Sequence, residues 1–93
     1  MGISFEMRVS VPEDVLIREL DGESVILNLK SERYFGLDRV GTRIWEVLSS
    51  SETIAAAYQT LLSEYNVVPE KLETDLSNLL EQLVQHGLIN VSN

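Results

Sequence analysis

The hydrophobic period of the chain changes once, between Leu37 and Val40, and that change limits the fold more than any other feature. Before it, apolar residues come in short runs broken by turn residues. Val9-Ser10-Val11 alternates until Pro12 stops it. Val15 to Leu20 reads as a strand, and Asp21-Gly22 is a strong hairpin turn signal. Val25 to Leu29 is a β-branched, apolar strand, and Lys30-Ser31-Glu32 is a short polar turn. Arg33-Tyr34-Phe35-Gly36-Leu37 is a third strand, with Phe35 and Leu37 on one face and Tyr34 on the other. The first 38 residues therefore read as a three-stranded antiparallel meander.

After the change, Val40, Ile44, Trp45, Val47 and Leu48 keep helical spacing, with Ile44 and Trp45 as core candidates. A serine run then leads into an alanine-rich helix from Thr53, with Leu61, Leu62 and Tyr65 following on one side. Pro69-Glu70 suits the first turn of a last helix. Leu72, Leu76, Leu79 and Leu83 form a stripe along it. Leu80 and Val84 widen the stripe on one flank, while Asp75, Gln82 and His86 line the other. Gly87 supplies a left-handed stop, and Leu88 to Val91 should pack down as a tail. Three strands, three helices and a tail predict an α+β domain of the winged helix-turn-helix type, sheet first.

Ninety-three residues suffice for one domain, expected over residues 9–91 behind a flexible N-terminus, residues 1–8. No apolar run approaches the roughly 18 residues that span a bilayer. The N-terminus lacks a charged start followed by an apolar stretch, so no secretion signal is expected. The absence of cysteine removes disulfides, thiolate catalysis and cysteine-based zinc sites, and fits a cytoplasmic location.

The net charge is −8, unevenly spread. Arg8, Arg18, Lys30, Arg33, Arg39 and Arg43 lie in the first half, leaving Lys71 alone against Glu46, Glu52, Glu64, Glu70, Glu73, Asp75 and Glu81. A winged-helix DNA reader needs a basic recognition helix, and no later helix is basic, so no nucleic acid partner is expected. The single histidine, His86, has no second ligand or nucleophile in sight, and Glu13-Asp14 and Glu19 with Asp21 read as solvated acids. No catalytic residue, metal or cofactor is expected.

What remains suits a binding module. An edge strand offers unpaired N–H and C=O groups that an extended peptide can complete. Arg33 to Leu37 is the candidate edge, and Leu72, Asp75, Leu76 and Leu79 of the last helix are candidate contacts beside it. An all-core reading of the leucine stripe competes with this one.

The run from Arg33 to Leu48, Arg-Tyr-Phe-Gly-Leu-Asp-Arg-Val-Gly-Thr-Arg-Ile-Trp-Glu-Val-Leu, resembles the signature of the PqqD-like family, with Asp38 where Asn is commoner. Asp75, Leu79-Leu80, Leu83 and Gly87-Leu88-Ile89 resemble the family's closing helix, so the likeness spans about residues 9 to 91. The resemblance implies a RiPP recognition element. Such a domain binds the leader of a ribosomally made precursor peptide as a strand added to the third strand, in a groove shared with the last helix. It implies a processing enzyme as second partner. The run Ile17 to Glu23 followed by Tyr34 to Leu37 is more similar to lasso-pathway members, which serve a leader peptidase, than to those serving a radical SAM enzyme in cofactor synthesis. The open edge allows a monomer or a strand-exchanged dimer.

Overall fold

The computed structural model describes residues 3–93. The strands are β1 (Arg8–Ser10), β2 (Val15–Leu20), β3 (Glu23–Asn28) and β4 (Tyr34–Leu37). The helices α1 (Arg39–Ser50), α2 (Ile54–Glu64) and α3 (Pro69–Gln85) follow, then β5 (Asn90–Ser92). Strands β2-β3-β4 form one antiparallel sheet in that order. Asp21 and Gly22, at φ +56° and +84°, make the left-handed pair that a two-residue hairpin turn requires.

The meander begins at Val15, as the run Val15 to Leu20 predicts, and Val9 lies outside it. Val9 belongs to β1, which pairs with β5 at the far end of the chain, Val9 opposite Val91. The tail packs down as a strand, and Leu88 and Ile89 before it are buried.

The N-terminal segment touches the body from Ile3 onward; Met1 and Gly2, also expected to be loose, lie outside the described residues. The Phe5 and Met7 carbonyls accept from the amides of Ala55 and Ile54 at 2.7 and 3.0 Å, using free donors at the start of α2. The Phe5 ring meets Tyr58, centroids 5.5 Å apart.

One core lies between the inner sheet face and the helices. Val15, Ile26 and Leu37 come from the sheet, Ile44, Trp45, Val47 and Leu48 from α1, and Ile54, Ala57 and Leu61 from α2. From α3 come Leu72, Leu76, Leu80 and Leu83. Each helix start is set locally. Asp38 caps α1 by accepting from the Gly41 amide at 2.8 Å, and Thr53 caps α2 through the Ala56 amide. Pro69 opens α3. No helix among the described residues is long and apolar enough to cross a membrane.

Candidate functional site: an open strand edge beside a helix

Among the described residues, strand β4 has β3 on one side and no strand on the other. The Asn28 amide donates to the Arg33 carbonyl at 2.8 Å, and the register continues Leu27–Tyr34, Ile26–Phe35, Val25–Gly36, Ser24–Leu37. Antiparallel pairs alternate between hydrogen-bonded and non-hydrogen-bonded. Phe35 and Leu37 therefore turn their N–H and C=O groups toward β3, and Tyr34 and Gly36 turn theirs to the free edge. Two residues, two apart, thus present an unfilled ladder.

Helix α3 supplies the other wall. Its flank carries Leu72, Asp75, Leu79, Gln82 and His86, spaced by three and four, hence on one side. Both ends of that row are fixed against the chain running from β4 into α1. At the C-terminal end the His86 ring lies edge-on to Phe35, centroids 5.2 Å apart. At the N-terminal end, Leu72 and Asp75 face Val40 and Ile44 of α1, with Tyr65 and Val67 of the loop before α3. These side chains line a mainly apolar cavity of about 160 Å³.

Local chemistry sets this geometry. Helix α3 ends in a Schellman turn: Gly87, at φ +70°, donates to the Val84 carbonyl, and Leu88 donates to that of Leu83. The Asn28 side chain donates to the Gly87 carbonyl at 2.8 Å, while its oxygen accepts from the amides of Lys30 and Ser31. One asparagine thus ties the turn before β4 to the end of α3. At the other end, a Cβ on Gly41 would lie 3.1 Å from Leu37 Cδ2, tighter than an ordinary contact, so glycine eases the close start of α1 over β4. Ser24 and Thr42 share a buried 2.7 Å hydrogen bond that pins α1 to β3.

The expected site residues separate into four groups. Arg33, Tyr34, Gly36 and Asp75 are exposed. Phe35 and Leu79 are half-buried and able to meet a guest. Leu72 is almost fully buried but lines the small cavity. Leu37 and Leu76, expected as contacts, are core residues, Leu76 with no exposed surface. The reason is angular: Leu76 is aligned with Leu72, Leu80 and Leu83 along the centre of the buried face, while Leu79 is rotated off it. Ile44, Trp45, Leu80 and Leu83 are buried. Val40, Tyr65 and Val67 were not among the expected contacts; Val67 lies in a loop, where periodicity carries no signal.

Charge around the groove is mixed. Lys71 Nζ stands 3.3 Å from Asp75 Oδ2, at the surface. Arg43 donates through Nε and Nη2 to both Glu64 oxygens at 2.8 and 2.7 Å, and through Nη1 to Glu46. This clamp joins α1 to the end of α2, next to Tyr65. Its hydrogen bonds hold the Glu64 carboxyl below its ordinary pKa and the Arg43 guanidinium above its own. No group of three or more metal-ligating side chains occurs among the described residues.

A comparison with curated proteins gives no match. Two solved structures are similar over most of the chain. "TbiB1 in Complex with the TbiA(beta) Leader Peptide" is 32% identical, with a TM-score of 0.79, covering 86% of this chain and 93% of that one. "Lasso peptide synthetase B1 complexed with the leader peptide" is 26% identical, with a TM-score of 0.75, covering 91% and 98%. The family model described as coenzyme PQQ synthesis protein D matches residues 23–89. That match includes β3, β4, all three helices and the glycine stop, so the chain belongs to the PqqD family, as a PqqD-like RiPP recognition element.

Proposed function

We propose that this protein binds the leader segment of a ribosomally synthesised precursor peptide as a fourth strand on β4 and delivers it to a processing enzyme, the leader peptidase of a lasso-peptide pathway. The observation that carries this reading is the unfilled ladder of Tyr34 and Gly36 beside the α3 flank. Backbone pairing supplies affinity, and side-chain pockets supply selectivity. Guest residues pointing inward would meet Phe35, Leu79 and the cavity at Leu72. The lasso assignment is supported by the two similar structures, both leader complexes. The family description supports the cofactor-synthesis alternative, in which the partner is a radical SAM enzyme. In either case the protein acts in the cytoplasm, holds the substrate and leaves the chemistry to its partner.

The test is calorimetric titration with a synthetic leader from the precursor encoded beside this gene, in the presence of a chelator. Binding near about −8 kcal/mol, equivalent to a micromolar dissociation constant or somewhat better, is expected. A leader that fails to bind, or binds only with metal present, contradicts the proposal.

A further inference from the structure

We infer that the guest strand has a second contact on the outer face of the sheet: the depression over Gly36 takes one bulky apolar side chain of the leader, pointing away from α3. This rests on the strand-addition reading above.

The outer face is mainly apolar. Register places Leu16 and Leu20 of β2, Val25 and Leu27 of β3, and Tyr34 and Gly36 of β4 on it together, with Arg18 and Glu23 as its charged members. Leu20 is 78% exposed, Tyr34 69% and Val25 45%. A depression of about 610 Å³ opens at this part of the sheet, with Leu20, Val25 and Gly36 in its lining beside the charged Arg18, Glu19, Glu23 and Asp38.

Among the described residues, nothing crowds the position of Gly36. Its φ is not in the left-handed region, and a Cβ built on it meets no heavy atom within 4 Å beyond its chain neighbours. A Cβ at Gly41 would crowd Leu37 at 3.1 Å, and Gly87 has a positive φ. A strand glycine costs backbone entropy and packs nothing, and where it persists something often approaches from outside.

The free edge says what approaches. A strand paired to Tyr34 and Gly36, in either direction, sets its own residues beside them on the same, outer face. With no side chain at position 36, a large guest side chain can fold across the glycine onto Val25 and Leu20, as aromatic residues cover strand glycines elsewhere. The ligand class is therefore an aromatic or large aliphatic residue, alternating with those that face α3.

The experiment compares Gly36→Val with the wild-type protein. Valine favours a strand, and the space is empty, so the variant should fold and melt no lower than wild type. Its affinity for the synthetic leader of the neighbouring precursor should fall about 10- to 100-fold, the loss of one buried apolar side chain. An alanine scan of that leader identifies the outward residue: its replacement should weaken binding to wild type but add little in Gly36→Val. Should Gly36→Val not fold, Val25→Ser supplies the same cycle from the opposite wall. Unchanged affinity in a folded variant overturns the inference. So does unchanged affinity with loss of leader removal by the partner enzyme, which would give the depression to that enzyme. Failure of the wild-type protein to bind leader is a separate result, and it removes the functional reading itself.

Discussion

The imidazole of His86, at the end of α3, stands at 69° to the ring of Phe35 in β4, centroids 5.2 Å apart. His86 Nδ1 also lies 2.8 Å from the Gln82 carbonyl, which fixes the ring against its own helix. This pair closes one end of the groove and sets the spacing between its walls. An edge-on aromatic pair contributes about 0.5–1.5 kcal/mol beyond area burial. His86→Ala and Phe35→Leu should each destabilise, and urea unfolding of the double variant should recover a coupling in that range. Strictly additive effects would mean that the two rings do not support each other.

Backbone pairing should be visible amide by amide. Phe35 and Leu37 already bond to β3, so their exchange is slow in the free protein. Tyr34 and Gly36 face the open edge, and their amides should become protected only when leader is added. Hydrogen exchange read by NMR checks this alternation. Protection gained uniformly across β4, or on β2 instead, would place the guest elsewhere.

Trp45 is 6% exposed and Ile44 5%, both inside the core, with Ile44 also lining the small cavity beside Leu72. Trp45→Ala should cost about 3–5 kcal/mol in chemical denaturation, as large-to-small core changes do. Leader affinity of the remaining folded fraction should stay unchanged. Lost affinity at unchanged stability would mean that Trp45 faces the guest.

Asp75 shares its carboxylate with Lys71, one helical turn before it. A basic leader residue arriving there would compete with Lys71, and the gain is that of a partly exposed pair. Asp75→Lys should weaken leader binding by about 1–2 kcal/mol, mainly through encounter rate and selectivity. Changing the facing basic leader residue to Glu should recover part of the loss. Zero coupling in the double-mutant cycle would reduce Asp75 to a helix-surface residue.

The Arg43–Glu64 clamp has a defined pH dependence. Glu64 has its folded pKa lowered, chiefly by its hydrogen bonds with Arg43. Such a group stabilises the fold above its unfolded pKa, and the contribution disappears as pH falls through the folded value. Arg43→Gln should therefore melt slightly below wild type at pH 7, with the gap closing below about pH 4. The gap is small because the pair is at the surface. A gap that grows on acidification would contradict the clamp.

Much of the fold was legible along the chain because it is locally encoded. The Asp21-Gly22 turn needs two residues that tolerate positive φ, and the sequence provides them adjacent. The Asp38 to Gly41 step is a helix cap plus a close-approach glycine, and Gly87 is a helix stop. Strand alternation put Phe35 and Leu37 on one face and Tyr34 on the other, as register now confirms. The family resemblance carried by Arg33 to Leu48 agrees with the family match over residues 23–89.

Tertiary structure alone decided the rest. A helical stripe specifies one side of a helix but not which leucine lies at its centre, so Leu76 went to the core while Leu79 stayed at the rim. The β1–β5 pairing joins opposite ends of the chain, and a three-residue strand carries too little pattern to announce a distant partner. The small cavity needs Val40, Tyr65 and Leu72 from three separate segments. The sequence by itself determined the three meander strands, the three helices and their order, because those depend on neighbours within a few residues. The shape of the groove was decided by long-range contacts, Asn28 to Gly87 and Phe35 to His86 above all, because only packing brings those residues together.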